Sequence, residues 1–307
     1  MVKEKEDSTA VSGKKLATEI LSLIAIIILL GTTWGWWHYI YSHPKRVFWG
    51  AVNNSLRTHS VLRAFSQSER GQILDQSMQL QTSPNQVTLG NSKLVQGTGQ
   101  DAITVQTDLI GNPFNDFIRY SSIKTNQKGV SGNELDFSKA VGVWGKTEVD
   151  DAKITNGQLY NQAALGVIPF GALNGEQRAK LVGIMQDTSA YEYSAGEVTK
   201  KLVNGRPTYI YKVVLKPEGY ITLLKEYASM VGLTQLANVD PSDYKRRESI
   251  TFSVTVDVWS RQITEFAPAG GGRIEKFSAY NALPVKFELP KESIPMRDLQ
   301  ARVQEVQ

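Results

Sequence analysis

Few residues in this chain could do chemistry, and their spacing suits none of the usual constellations. Histidine occurs only as His38, His43 and His59. An imidazole is the side chain best suited to exchange protons near neutrality or to hold a transition metal. All three lie in or beside one strongly apolar stretch, where each reads as an interfacial or helix-surface residue. Glu148, Asp150 and Asp151 form the tightest acidic group. A calcium loop needs more oxygen ligands at regular spacing, so a solvated loop is the expectation. Gly270, Gly271 and Gly272 follow Pro268 between strand patterns. No helix pattern opens after them to cradle a phosphate, which leaves a hairpin tip. The nucleophile elbow, the P-loop and the zinc-protease helix motif do not occur. Cysteine is absent, which removes disulfides, thiolate metal sites, thiol nucleophiles and a lipidated N-terminal cysteine together. Asn53-Asn54-Ser55 matches a glycosylation sequon but falls on a predicted helix. The expectation is a protein with no catalytic residues, no metal and no cofactor. An enzyme would need converging polar groups in a pocket.

What remains is apolar surface placed with regular periods. In PEGYITLLKEYASMVG, the residues Tyr220, Leu223, Leu224, Tyr227 and Met230 recur on one helical face. Leu181 and Met185 line one side of a shorter helical pattern over 175–185. Phe252, Val254 and Val256 point one way in the clearest strand, while Thr251, Ser253, Thr255 and Asp257 point the other. Such alternation belongs to a sheet with one covered and one wet face. These ten apolar residues are either core, sealing helices onto a sheet, or the lining of a ligand cavity between them.

The elements that must position them begin with an address. From Ile20 to Trp37 the chain carries no charge, close to the roughly 18–20 residues that cross a bilayer core. Lys3, Lys5, Lys14 and Lys15 precede this run, and Trp34, Trp36, Trp37, Tyr39 and Tyr41 crowd its far end, as expected of rings at the headgroup level. A cleaved signal peptide has a shorter apolar core and small residues at its cleavage site, whereas Trp-Gly-Trp-Trp stands here. The expectation is an uncleaved signal anchor over 16–41, a cytoplasmic tail over 1–15, and everything after about 42 outside the cell membrane. The net charge of +4 is mild and includes that N-terminal cluster; nucleic acid is not an expected partner.

Beyond the span, apolar residues over 44–58 fall near helical spacing, and then the period becomes two. VLRAFSQSE, GQILDQSMQLQT, QVTLGNSKLVQG, DAITVQTDLI and FNDFIRYSSIK succeed one another with turn residues between them. Links that short join only antiparallel neighbours. Two short helices are expected over 157–165 and 175–185, after a possible strand VGVWGKTEV. Strands then resume in YEYSAGEVTKKLV and TYIYKVVLK around Asn204-Gly205, a strong hairpin signal. SRQITEFA, RIEKFSAY and PVKFELP complete the series, and a polar tail follows over 291–307. The fold class predicted is α+β: one large curved antiparallel sheet of about ten strands, a half-barrel, with helices covering the concave face and one transmembrane helix before it.

The closing stretch FSAYNALPVKFELP, with Phe277, Tyr280, Asn281, Pro284, Phe287 and Pro290, resembles the end of the LolA-like lipoprotein-binding fold. It is nearest to the branch containing the mycobacterial LppX and LprG lipoproteins. The resemblance spans about residues 44–290. It implies a half-open β-barrel with a helical lid, able to hold lipid or acyl chains. Two departures matter: there is no cysteine to lipidate, and a retained helix would prevent free ferrying of cargo. Two functional readings follow for domain 42–290. In one it is a membrane-tethered module binding lipid or acylated protein inside the curve. In the other it is an envelope assembly protein with a packed core and a partner-binding outer face.

Overall fold

The computed structural model describes residues 22–129, 132–147, 155, 157–282 and 287–306. The tail 1–15, the start of the hydrophobic run, the acidic group Glu148, Asp150 and Asp151, and Pro284 lie outside the described residues. The chain forms two compact units, Met1–Val47 and Phe48–Gln307. In the first, helix α1 (Ser22–Tyr41) has 20 residues, about 30 Å at 1.5 Å per residue. It is long and apolar enough to cross a membrane, and its leucines and isoleucines are exposed. The last six residues, Trp36–Tyr41, are wound as a π-helix in which Trp37 stacks on Tyr41 at 4.7 Å.

Helix α2 (Pro44–Leu56) leads into the second unit, with Pro44 at its first position, where no donor is lost. Five strands follow as an antiparallel meander: β1 (Ser60–Glu69), β2 (Gln72–Gln81), β3 (Val87–Gln96), β4 (Ile103–Gly111) and β5 (Asp116–Thr125). Each matches a period-two segment of the sequence. After β6 (Trp144–Lys146) come helices α3 (Gln158–Ala164) and α4 (Gly175–Asp187), then β7 (Tyr191–Tyr193), β8 (Thr199–Val203) and β9 (Arg206–Leu215). Helix α5 (Pro217–Met230) precedes β10 (Ile250–Asp257), β11 (Gln262–Pro268) and β12 (Arg273–Ser278); β13 (Ile294–Pro295) and α6 (Met296–Gln304) close the chain.

All thirteen strands join one curved half-barrel sheet in the order β13-β6-β5-β4-β3-β2-β1-β12-β11-β10-β9-β7, with β8 also paired to β9. The fold is the α+β class expected, with two differences. Thirteen strands replace about ten: one predicted strand divides into β7 and β8, and β13, two residues long, carries no readable alternation. The sheet is mixed, because β13 runs parallel to β6.

Three segments depart from their patterns. YEYSAGEVTKKLV is not one strand but β7 and β8, separated by a 3-10 turn over Ala195–Glu197. Phe287–Pro290, the described end of the predicted last strand, is irregular. The segment after Pro290 does not hang free: β13 extends the sheet, and Leu299 of α6 is fully buried. It packs where Gly145 of β6 has no side chain, since a Cβ there would stand 2.7 Å from Leu299. The predicted Asn204-Gly205 hairpin is present, with both residues at positive φ.

Cross-strand register puts Val254 between Phe266 and Tyr211, and Arg63 opposite Phe277, all on the face that the helices cover. Burying the valine and phenylalanine side chains among them stabilises the fold by about 1.5–3 kcal/mol each. Helix α4 starts with a capping box between Asn174 and Gln177. Helix α3 is held to the sheet by Arg63, which donates to the Gln162 carbonyl (3.0 Å) and pairs with Glu275 (2.8 Å). The aromatic closing motif has a definite task. Phe277 packs on Phe266 and Phe170 (5.1 and 5.3 Å), and the Tyr280 hydroxyl donates to the Ile263 carbonyl (2.5 Å). Asn281, at positive φ, ties the exit of β12 to the entry of β1. Its Oδ1 accepts from the His59 amide and its own amide donates to Ser60, both at 2.8 Å.

Candidate functional site

The ten residues named from the sequence gather on the covered face. Leu181, Met185, Leu223, Tyr227, Val254 and Val256 have no accessible surface, Phe252 and Leu224 very little, and Tyr220 and Met230 are half-buried. A side chain bordering a closed void wide enough for water would still show accessible area. In this conformation, therefore, those six residues meet only other atoms.

Their tyrosines have a structural duty that periodicity could not reveal. The chain between α3 and α4 runs buried through Ile168, Pro169 and Phe170. A buried loop must find partners for its carbonyls. Tyr220 donates to the Gly166 carbonyl (2.9 Å), Tyr191 to Val167 (2.5 Å) and Tyr227 to Phe170. Burial pushes the hydroxyls of Tyr191, Tyr220 and Tyr227 well above their ordinary acidity range, so they remain protonated donors. Gly171 lets the loop pass against the Tyr227 ring, where a Cβ would stand 2.7 Å away.

The sizeable cleft lies on the other face. Strands β12, β1, β2, β3 and β4 align two neighbouring rungs. One reads Lys276, Ala64, Ser77, Asn91, Asp108; the next reads Ile274, Ser66, Asp75, Lys93, Gln106. Ala64, Ser66 and Ser77 are small, so the floor is low, and longer side chains form its sides. The register shift between Gln106 and Thr107 bends the β4–β5 pair, and Gly272 of the β11–β12 turn stands at the opposite rim. The resulting trough has a volume of about 870 Å³, within the usual range for a ligand site.

Its lining is mixed. Hydroxyl and amide groups dominate the floor, Ile274 lies at one side with 44% of its surface exposed, and Ile73 is equally exposed on the same face of β2. Asp108 is neutralised by Arg119 (2.6 Å), whose guanidinium lies 4.7 Å over the Trp144 ring. Asp75, Lys93 and Lys276 form no ion pair among the described residues. Charged groups held apart over small polar side chains suit a ligand with a polar part. None of the ten sequence-named residues lines this trough. Its signal was present as the wet half of the β1–β4 alternation, which on sequence alone reads as ordinary solvent-facing surface.

Other sequence features resolve as follows. Gly270 to Gly272 form a hairpin tip, as expected, with the Gly271 amide donating to Pro268 (3.1 Å). Asn53 of the sequon accepts from Arg178 (3.0 Å) and is half-buried on α2. His43 and His59 are exposed. Among the described residues, no group of three or more His, Asp or Glu side chains is placed to hold a metal.

No family model matches the sequence, and no curated protein matches it. Among solved structures the chain is similar to LprF from Mycobacterium bovis, with 10% sequence identity and a TM-score of 0.40. The match covers 80% of this chain and 96% of that one. A likeness of this degree carries no functional weight.

Proposed function

We propose that this chain is a membrane-tethered, non-catalytic binding module of the cell envelope, and that it takes an amphipathic ligand, a lipid or an acylated protein segment, on the helix-free face of its sheet. The observation that carries the reading is the trough of about 870 Å³. Asp75, Lys93 and Lys276 offer charge to a polar head, while Ile73 and Ile274 offer apolar surface beside it. Helix α1 supplies the tether, with the amino terminus inside and residues after about 42 outside. The ten core residues then keep the shape of the sheet. An acyl chain would reach them only if α4 and α5 moved off β10.

Native mass spectrometry of the full chain released from nanodiscs made of envelope lipids tests this. The expected result is a lipid-sized or acyl-peptide adduct on the wild type that Ser77→Trp, which fills the trough floor, removes. A bare wild-type mass would sink the proposal. An adduct that survives Ser77→Trp but disappears in a core variant would move the site beneath the helices.

A further inference from the structure

Strand β8 is the exposed arm of the hairpin that it forms with β9, whose other edge pairs with β10 in the sheet. All five residues of β8 are exposed, Leu202 at 75% and Val203 at 48%. Register puts Lys200 and Leu202 on one side of this ribbon and Lys201 and Val203 on the other, and all four side chains are exposed. The neighbouring β10–β11 turn adds Trp259, 49% exposed, with the Arg206 guanidinium 5.6 Å over its ring. The turn and hairpin are fastened together where the Val258 amide donates to Pro207 (3.0 Å). Lys200 and Lys201 form no ion pair among the described residues; Lys200 lies 5.4 Å over the Tyr209 ring instead. The patch therefore combines exposed aliphatic tips, an indole and unneutralised cations. That is the composition of a surface that enters a lipid interface.

Covalent reach sets where this patch can go. Phe48 packs against Tyr193 at the end of β7 (4.4 Å), just before the turn into β8. On the same helix, the Asn54 amide donates to the Ser260 and Arg261 carbonyls of the β10–β11 turn (3.0 Å). Phe48 lies seven positions after Tyr41, the last residue of α1, a span of at most about 25 Å. If α1 crosses a bilayer, the Phe48 corner of the domain cannot leave the vicinity of that bilayer, and the hairpin shares that corner.

We infer that the β8–β9 hairpin and Trp259 form a second membrane contact, with Leu202, Val203 and Trp259 entering the interface of an anionic bilayer and Lys200 and Lys201 meeting its headgroups. This inference rests on the tether reading of α1. It gives the domain a fixed stance on the membrane instead of free rotation about its stem.

The absence of cysteine makes the test direct, because Leu202→Cys introduces a single labelling site into the full chain. An environment-sensitive fluorophore at position 202 is read in vesicles holding about one-third anionic lipid, with headgroup-depth spin-labelled lipid as quencher. Ile250→Cys, at the far end of β10 and also exposed, is the reference. The expected result is a roughly two-fold or greater loss of signal at 202 with little at 250. Lys200→Glu with Lys201→Glu, or neutral vesicles, should restore most of the signal, since each basic residue near an anionic surface shifts the balance several-fold. Equal quenching at the two positions on chains that float with the vesicles overturns the hairpin contact alone. A blue shift at 202 without lipid quenching also overturns it, in favour of a protein partner or a second copy. If the chain does not float with the vesicles, the tether reading and this inference fall together.

Discussion

Two regions of this sheet, on opposite faces, use the same alternation for opposite purposes. On β10 the alternating set Phe252, Val254 and Val256 is large, apolar and buried on the helix-covered face. On β1 and β2 the bare-side set Ala64, Ser66, Ser77 and Asp75 is small or polar, and a trough lies open above it. Branched side chains demand a lid, because their burial supplies the stabilisation. Small polar side chains do not, and aligning them by register leaves space. Period tells where the strands are; side-chain volume across neighbouring strands tells where a ligand can sit.

That contrast can be broken by experiment. The largest effect should come from Leu223→Ala on the covered face, with a loss of about 2–5 kcal/mol measured by urea unfolding of the full chain in detergent. A loss below 1 kcal/mol would mean that the helices are not packed as described. Next comes the anchor that holds α3 to the sheet. Asp116, at the start of β5, accepts from the Gln158 and Leu159 amides of α3 (2.8 and 3.1 Å). Burial raises its carboxyl from 3.8 to about 6, against the opposing pull of those two amides. The folded state then holds more protons than the unfolded state between pH 4 and 6, so stability should fall as pH rises through that window and level off above it. The change attributable to this residue is on the order of 2–3 kcal/mol, read as a melting-temperature profile that Asp116→Asn flattens. A profile unchanged by Asp116→Asn would show that its carboxylate is as well solvated folded as unfolded.

A smaller effect is expected from Tyr227→Phe, which keeps the ring and strands the Phe170 carbonyl. It should cost about 1–2 kcal/mol and speed amide exchange in the 166–172 loop without changing ligand retention. If ligand retention falls with it, the covered side takes part in binding, and the division drawn between the two regions fails.

Much of the scaffold could be read from residues. The meander β1–β5, the amphipathic α5 and the Asn204-Gly205 hairpin carry local signals of alternation, helical spacing and turn chemistry. Strand β13 escaped because two residues hold no period, and its pairing with β6 is decided by a neighbour far back along the chain. The candidate site escaped for a related reason. Ser77 and Asn91 become neighbours only through register, and a lone serine on a wet face has no signature. The tyrosines were legible as buried rings on α5, but not as donors, since their acceptors lie in a loop more than fifty residues earlier.

The seam between β1 and β12 has a consequence for synthesis. The meander needs only sequential hairpins, whereas this pairing joins residues such as Leu62 and Ser278, and Asn281 latches it from still further along. Long-range closure is the slow step in assembling a protein of this topology. A ribosome delivering the chain N-terminus first would finish the early strands while their partner was still inside the exit tunnel. One flank of β1 would stay open until β12 had emerged, which marks that strand as the place where chaperone protection during synthesis would matter most.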